Sequence, residues 1–179
     1  YQPVDASLRQ IRLLAIQPGD GDGAICCSSS VCSLDDRPIY QTLSYAWGDP
    51  HVTDPILLDG VEFPVTVNLK DALRRLRKAD DARIVWIDAL CINQQDDVEK
   101  SEQVRLMSNI YLSCSQVFIW LGFQDPSDFD EESSETDEQS SSNGDHPKVW
   151  RHFETLTNLP WWNRTWTVQE TVLPPKALV

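Results

Sequence analysis

A chain of 179 residues, 41% of them hydrophobic, suits one domain with a sizeable core and excludes both two full domains and disorder throughout. Its formal net charge of −13 comes from 28 acidic and 15 basic residues, and nine of the acids lie between Asp125 and Asp145, where there is no Lys or Arg. The other 19 acids and 15 bases give an ordinary surface, without the basic footprint that nucleic-acid phosphates require.

The longest strongly apolar run, Val117 to Phe123, falls far short of the roughly 20 residues of a membrane span, so no span is expected. Tyr1-Gln2-Pro3-Val4 has no initiator Met and no signal-peptide character, which predicts a piece of a longer protein. Five cysteines is an odd number, and Cys26 and Cys27 are adjacent, which predicts free thiols in a reducing cytoplasm rather than a disulfide framework. Neither Cys26-Cys27-x4-Cys32 nor His51, His146 and His152 have the paired spacing of a zinc site, so no metal is expected.

In chain order, Gln10 to Ile16 and Ala24 to Leu34 read as two strands of a β-hairpin around a Gly-rich turn. Tyr40 to Trp47 is apolar enough for a buried strand. Ile56-Leu57-Leu58 and Val61-Glu62-Phe63 form a second hairpin, because Asp59-Gly60 readily adopts the positive φ angles of a type I′ turn. A helix starts at Asn68, with Asp71 at the capping-box position and an apolar stripe at Leu69, Leu73 and Leu76; Arg74, Arg75, Arg77 and Lys78 form its wet face. Arg83 to Asp88 is a short strand. Asp96 caps the next helix, with Glu99 completing a capping box and Val104, Met107, Ile110 or Tyr111, and Cys114 facing inward. Gln116 to Leu121 is another buried strand, Pro147 opens a helix bearing Val149, Phe153 and Leu156, and Lys176 to Val179 begins a further strand.

Strands without an alternating polar face, separated by helices, predict an α/β domain: a parallel sheet flanked by helices on both faces. The expected organisation is a single domain over 1–179. Residues 1–39 form an N-terminal β-hairpin addition, and the acidic stretch 125–145 forms a solvated, mobile insertion too polar to order itself.

Ligands of open α/β sheets bind beyond the carboxyl ends of the strands, and three segments fit that place. In the first, Ser44, Trp47, Gly48 and Asp49 combine an aromatic able to stack a ring with a glycine that admits close backbone approach; the alternative is a turn packed by a core Trp. In the second, Asp88 at a strand end and Asn93 can hold hydroxyls, or Asp88 can cap its own loop; Cys91 is a possible thiol nucleophile but has no nearby His, which favours a buried, inert group. In the third, Trp162, Trp166 and Glu170 stand at successive i+4 steps of one helical face, placing a carboxylate beside an indole, as stabilisation of an oxocarbenium ion requires. An Arg164–Glu170 salt bridge is the alternative there. No dinucleotide-binding, P-loop, serine-hydrolase or zincin motif is present.

Tyr40-Gln41-Thr42-Leu43-Ser44-Tyr45-Ala46-Trp47-Gly48, Val85 to Asp96, and Trp162 to Glu170 resemble, in order, the three blocks of the fungal heterokaryon-incompatibility (HET) domain. Gln103-Val104, Met107, Ile110-Tyr111 and Trp120-Leu121-Gly122 match as well, so the resemblance runs from about Ile11 to the end. It implies a cytoplasmic role in non-self recognition and cell death, with self-association or an NLR-type partner. HET domains are in turn regarded as remote relatives of Toll/interleukin-1 receptor (TIR) domains, whose fold is flavodoxin-like. Trp166-x3-Glu170 is similar to the W-x3-E of TIR enzymes, whose Glu cleaves NAD. The resemblance therefore implies Glu170 as catalytic residue of an NAD(P)+ glycohydrolase that releases nicotinamide with no cofactor beyond its substrate. Ser44, Trp47, Gly48, Asp49, Asp88, Asn93, Arg164 and Trp166 are the candidates to hold the nucleotide. The competing expectation is a non-enzymatic TIR-like assembly module. A Glu170 side chain in an open cleft favours the first, and one closed into a salt bridge favours the second.

Overall fold

The computed structural model describes residues 1–21, 23–122, 157, 159–164 and 167–179. The acidic stretch, the helix expected from Pro147, and Trp166 lie outside these residues.

Strands β1 (Gln10–Ile16) and β2 (Cys26–Ser33) pair antiparallel along their whole length, as do β4 (Thr53–Leu58) and β5 (Val61–Thr66). Asp59 and Gly60 join the second pair with φ of 53° and 79°, the two positive angles of a type I′ turn. A Cβ on Gly60 would meet no atom within 4 Å, so Gly60→Ala tests backbone strain alone. We expect it to cost about 1 kcal/mol in a thermal melt; an unchanged melting temperature would show that the turn relaxes freely.

The remaining strands, β3 (Gln41–Tyr45), β6 (Arg83–Trp86), β7 (Val117–Trp120) and β8 (Ala177–Leu178), are mutually parallel. All eight form one sheet in the order β5-β4-β2-β1-β6-β3-β7-β8. The expected α/β architecture holds, with two corrections. The sheet is mixed rather than parallel, because β1 runs antiparallel to both β2 and β6. The N-terminal hairpin is no addition either: β1 is a central strand of the same sheet, with Ile11, Leu13, Leu14 and Ile16 all buried. Numbered among themselves in chain order, the four parallel strands stand as 2-1-3-4, so the chain reverses its direction of growth across β3 and β7.

Helix α1 (Val67–Leu76) buries Leu69, Ala72, Leu73 and Leu76. Its cap is Thr66, whose hydroxyl accepts the Leu69 N–H at 3.3 Å, rather than Asn68. Asn68 instead donates to the Ala46 carbonyl (2.5 Å) and accepts the Trp120 indole N–H (2.8 Å), tying the ends of β3 and β7 to the helix. Arg77 is not on a wet face: its guanidinium reaches back to the carbonyls of Asp20, Gly21, Gly23 and Ala24 and holds the β1–β2 turn.

A short helix α2 (Asp88–Cys91) follows β6, and α3 (Asp97–Ser113) follows the polar turn. Asp96 caps α3 as expected, through the Val98 and Glu99 N–H groups, both at 3.0 Å. Glu99 does not close a capping box. It forms a bidentate pair with the buried Arg12 of β1 (2.5 and 2.7 Å) and accepts the Asn93 N–H (2.7 Å). Met107, Ile110, Tyr111 and Cys114 face the sheet, where the Tyr40 hydroxyl donates to the Ile110 carbonyl. Among the described residues, no helix is long and apolar enough to cross a membrane.

Candidate functional site

Side chains alternate along β3, so Ser44 and Tyr45 leave it on opposite faces. Ser44, paired with Ile119 of β7, faces α3 and the last helix, α4 (Thr167–Val172). Tyr45 faces α1 and helps line a cavity on that side.

On the Ser44 face lies a buried polar cluster. Glu170 of α4 is wholly inaccessible, and its Oε2 accepts from the Ser44 hydroxyl and from the Arg164 guanidinium (2.9 Å). The Trp161 indole N–H donates to the same Ser44 oxygen at 2.6 Å. Arg164 also faces Asp88, 3.5 Å from its Oδ2, so one cation spans two carboxylates. Asp88 in turn accepts the Trp47 indole N–H (3.1 Å) and the Ala89 N–H (2.8 Å). Glu170 Oε1 has no hydrogen-bond partner among the described residues.

Electrostatics follow from burial. Desolvation raises the pKa of both Glu170 and Asp88, opposed in each case first by Arg164 and then by the Ser44 hydroxyl or the Trp47 indole respectively. Tyr111, packed edge-on against Trp86, is held well above the usual phenol range by burial and by the nearby Glu170.

Five of the expected site residues, Ser44, Trp47, Asp88, Arg164 and Glu170, therefore come together. The helical face that carried Glu170 in the sequence does not exist as expected. Pro160–Asn163 form a 3₁₀ turn, Arg164 is extended (φ −81°, ψ 139°), and α4 begins only at Thr167, so Trp162 is half-exposed on a separate element. Gly48, at φ 78°, turns the chain after Trp47, and its Cα side packs against Asn68, where an added Cβ would sit 3.4 Å from the Asn68 β-carbon. Asp49 accepts the His51 N–H in a local turn rather than joining the cluster. Asn93 lies on the cavity wall. Cys91 is buried, its sulfur accepts the Ile87 N–H, and desolvation pushes its thiol up to about 12, which leaves no nucleophile.

Sequence reasoning missed Trp161 and Tyr111 as parts of this site. Trp161 stands in the third block beside Trp162, but only the 3₁₀ turn reveals which of the two faces inward. No group of His, Cys, Asp and Glu side chains able to hold a metal occurs among the described residues.

The cavity on the Tyr45 face, about 560 Å³, lies between α1, the β4–β5 hairpin and the loop after α2. Glu170, Arg164 and Asp88 are not in its wall.

The family model described as "Heterokaryon incompatibility protein (HET)" matches residues 40–170. The chain is similar to heterokaryon incompatibility protein 6, OR allele, of Neurospora crassa, with 41% identity over 127 residues. That alignment covers 63% of this chain and 18% of the Neurospora protein, so the chain spans less than a fifth of that relative's length. No solved structure matches the chain.

Proposed function

Because the chain belongs to the heterokaryon incompatibility (HET) family, we propose that it is the domain of a fungal non-self-recognition protein that passes an incompatibility signal to cell death by assembling with a second copy or a sensor protein. The observation that carries this reading is the closure of Glu170. The side chain has no accessible surface, and its charge is taken up by Arg164 and Ser44, as in a structural ion pair. A ribose would have to displace Arg164 before touching it. The buried cluster then works as a keystone that fixes α4 and the 3₁₀ turn against the end of β3.

A second reading, NAD(P)+ glycohydrolysis, is favoured by one feature: the orphaned Glu170 Oε1, buried where the parallel strands reverse order at β3 and β7. Such a switch point is where flavodoxin-like sheets bind nucleotides, and the 2-1-3-4 order supports kinship with that fold and with TIR domains. In this reading the bond between ribose C1′ and the nicotinamide nitrogen breaks, the nicotinamide leaves as a neutral base, the freed carboxylate stabilises the ribosyl cation, and water adds at C1′ and releases a proton.

Glu170→Gln separates the two, since it keeps the side chain's shape and its bond from Ser44 while removing the charge. Under assembly, wild-type protein releases no nicotinamide from NAD+ above a heat-inactivated control. Cells expressing the folded Gln variant still die on incompatible fusion. Nicotinamide release that disappears in the variant together with cell death would replace assembly with hydrolysis.

A further inference from the structure

The cavity on the Tyr45 face adjoins the carboxylate cluster and shares Trp47 with it, while Glu170, Arg164 and Asp88 stay out of its wall. We propose that it binds a neutral, planar heteroaromatic ring of nucleobase type, taken up as the base of an uncharged nucleoside.

Three observations lead there. The cavity's volume, about 560 Å³, is that of a small-molecule site, and it opens beyond the carboxyl ends of β3 and β6, where α/β sheets bind ligands. Every side chain in its wall is uncharged. A phosphate or carboxylate entering it would lose water and gain no cation, and an ammonium would gain no anion. The wall is also chemically divided. Trp47 and Phe63 offer ring surfaces; the Gln94 amide nitrogen donates to the Asp88 and Ile92 carbonyls and the Asn93 amide oxygen accepts the Gln95 N–H, which leaves the Asn93 amide nitrogen, the Gln94 amide oxygen and the exposed Gln95 amide as the donors and acceptors for a ligand.

Trp47 is prepared for stacking. It is 43% exposed, yet its ring edge is fixed by the bond from its indole N–H to Asp88, so little rotational freedom is lost when a flat ligand covers it. A purely apolar occupant would take water from the remaining donors and acceptors without replacing it, whereas the edge of a nucleobase satisfies a donor and an acceptor together. The ligand class follows: flat, uncharged and rimmed by amide-like groups.

The test is titration calorimetry of the protein with adenosine, guanosine, AMP and indole. At least one nucleoside should bind with micromolar to low-millimolar affinity. AMP should bind at least several-fold more weakly than adenosine, the reverse of a phosphate-gripping nucleotide site, and indole more weakly than the nucleosides. Trp47→Ala and Gln95→Ala should each weaken nucleoside binding about tenfold. Thr53→Trp, at an exposed position of the rim, should abolish it with the melting temperature unchanged, which guards against a Trp47 variant that merely unfolds. Absence of nucleoside binding at millimolar concentration overturns the proposal. So does binding that survives Thr53→Trp, or AMP or indole binding more tightly than adenosine. The nucleoside result is independent of nicotinamide release, so either can fail without the other.

Discussion

Arg164→Ala should destabilise the protein by about 3–5 kcal/mol at neutral pH, the penalty for stranding buried charge. For a chain of this size that lowers the melting temperature by about 6–20 °C. The Arg164 side chain is itself largely covered, and it is the cation that most opposes the desolvation of both Glu170 and Asp88. The sign of the pH effect is fixed by linkage. Both carboxyls have folded pKa values raised above their unfolded values, so each binds its proton more tightly in the folded state. Each therefore withdraws stability as pH rises from about 4 through its folded pKa. Removing Arg164 pushes both pKa values higher and extends that loss toward neutrality. The deficit of the variant against wild type should accordingly be small at pH 4 and grow as pH rises to 7, measured by urea unfolding at each pH. A deficit independent of pH would mean that Arg164 contributes packing rather than charge.

Glu99→Gln should cost a comparable amount, about 3–5 kcal/mol, and its deficit too should shrink in acid, but because the wild type loses a stabilising carboxylate rather than because two carboxyls regain their protons. Glu99 receives both arms of the Arg12 guanidinium, and Arg12, only 1% exposed, also donates to the carbonyls of Gln2 and Cys91. The hydrogen bonds from Arg12 hold the Glu99 carboxyl below the usual carboxylate range. A depressed folded pKa contributes stability that is complete above the unfolded value, about 4.3, and is lost as pH falls through the folded one. Wild type should therefore lose this contribution on acidification, while Glu99→Gln, lacking the titrating group, should not. The gap between the two curves narrows in acid. Arg12→Met, which removes the cation but keeps the packing, should also destabilise, and combining both changes should cost less than the sum, because neither charge is then stranded.

The elements were legible wherever local chemistry decided them. Asp59-Gly60 favoured one kind of hairpin, Asp96 set a carboxylate acceptor ahead of an apolar stripe, and the unbroken apolar run of β7 required cover on both faces. Long-range pairing was not legible. Arg12 lies in a hairpin strand and Glu99 reads as a capping residue, and nothing local discloses that they meet across 87 positions. The mixed sheet escaped notice for the same reason: a strand buried on both faces reads alike whether its neighbours run parallel or antiparallel. At the site, Ser44 and Asp88 were legible from their place at strand ends and Glu170 from its helical spacing and the family motif. The grip of Arg164 on two acids at once depended on an extended residue between a 3₁₀ turn and α4, which an i+4 periodicity cannot foresee.

The position of β3 also sets a timetable for the nascent polypeptide. Its partners β6 and β7 are encoded well after it, while the hairpins β1–β2 and β4–β5 close from neighbouring sequence. At about 5–20 residues per second, a ribosome spends several seconds between Gln41 and Val117. During that interval an apolar strand destined for the middle of the sheet has no parallel neighbour on its β7 side. Ser44 waits longer still, since Trp161, Arg164 and Glu170 follow it by 117, 120 and 126 positions. The cluster that locks this domain is thus assembled only once α4 has emerged, and chaperone protection of this strand is most needed just before then.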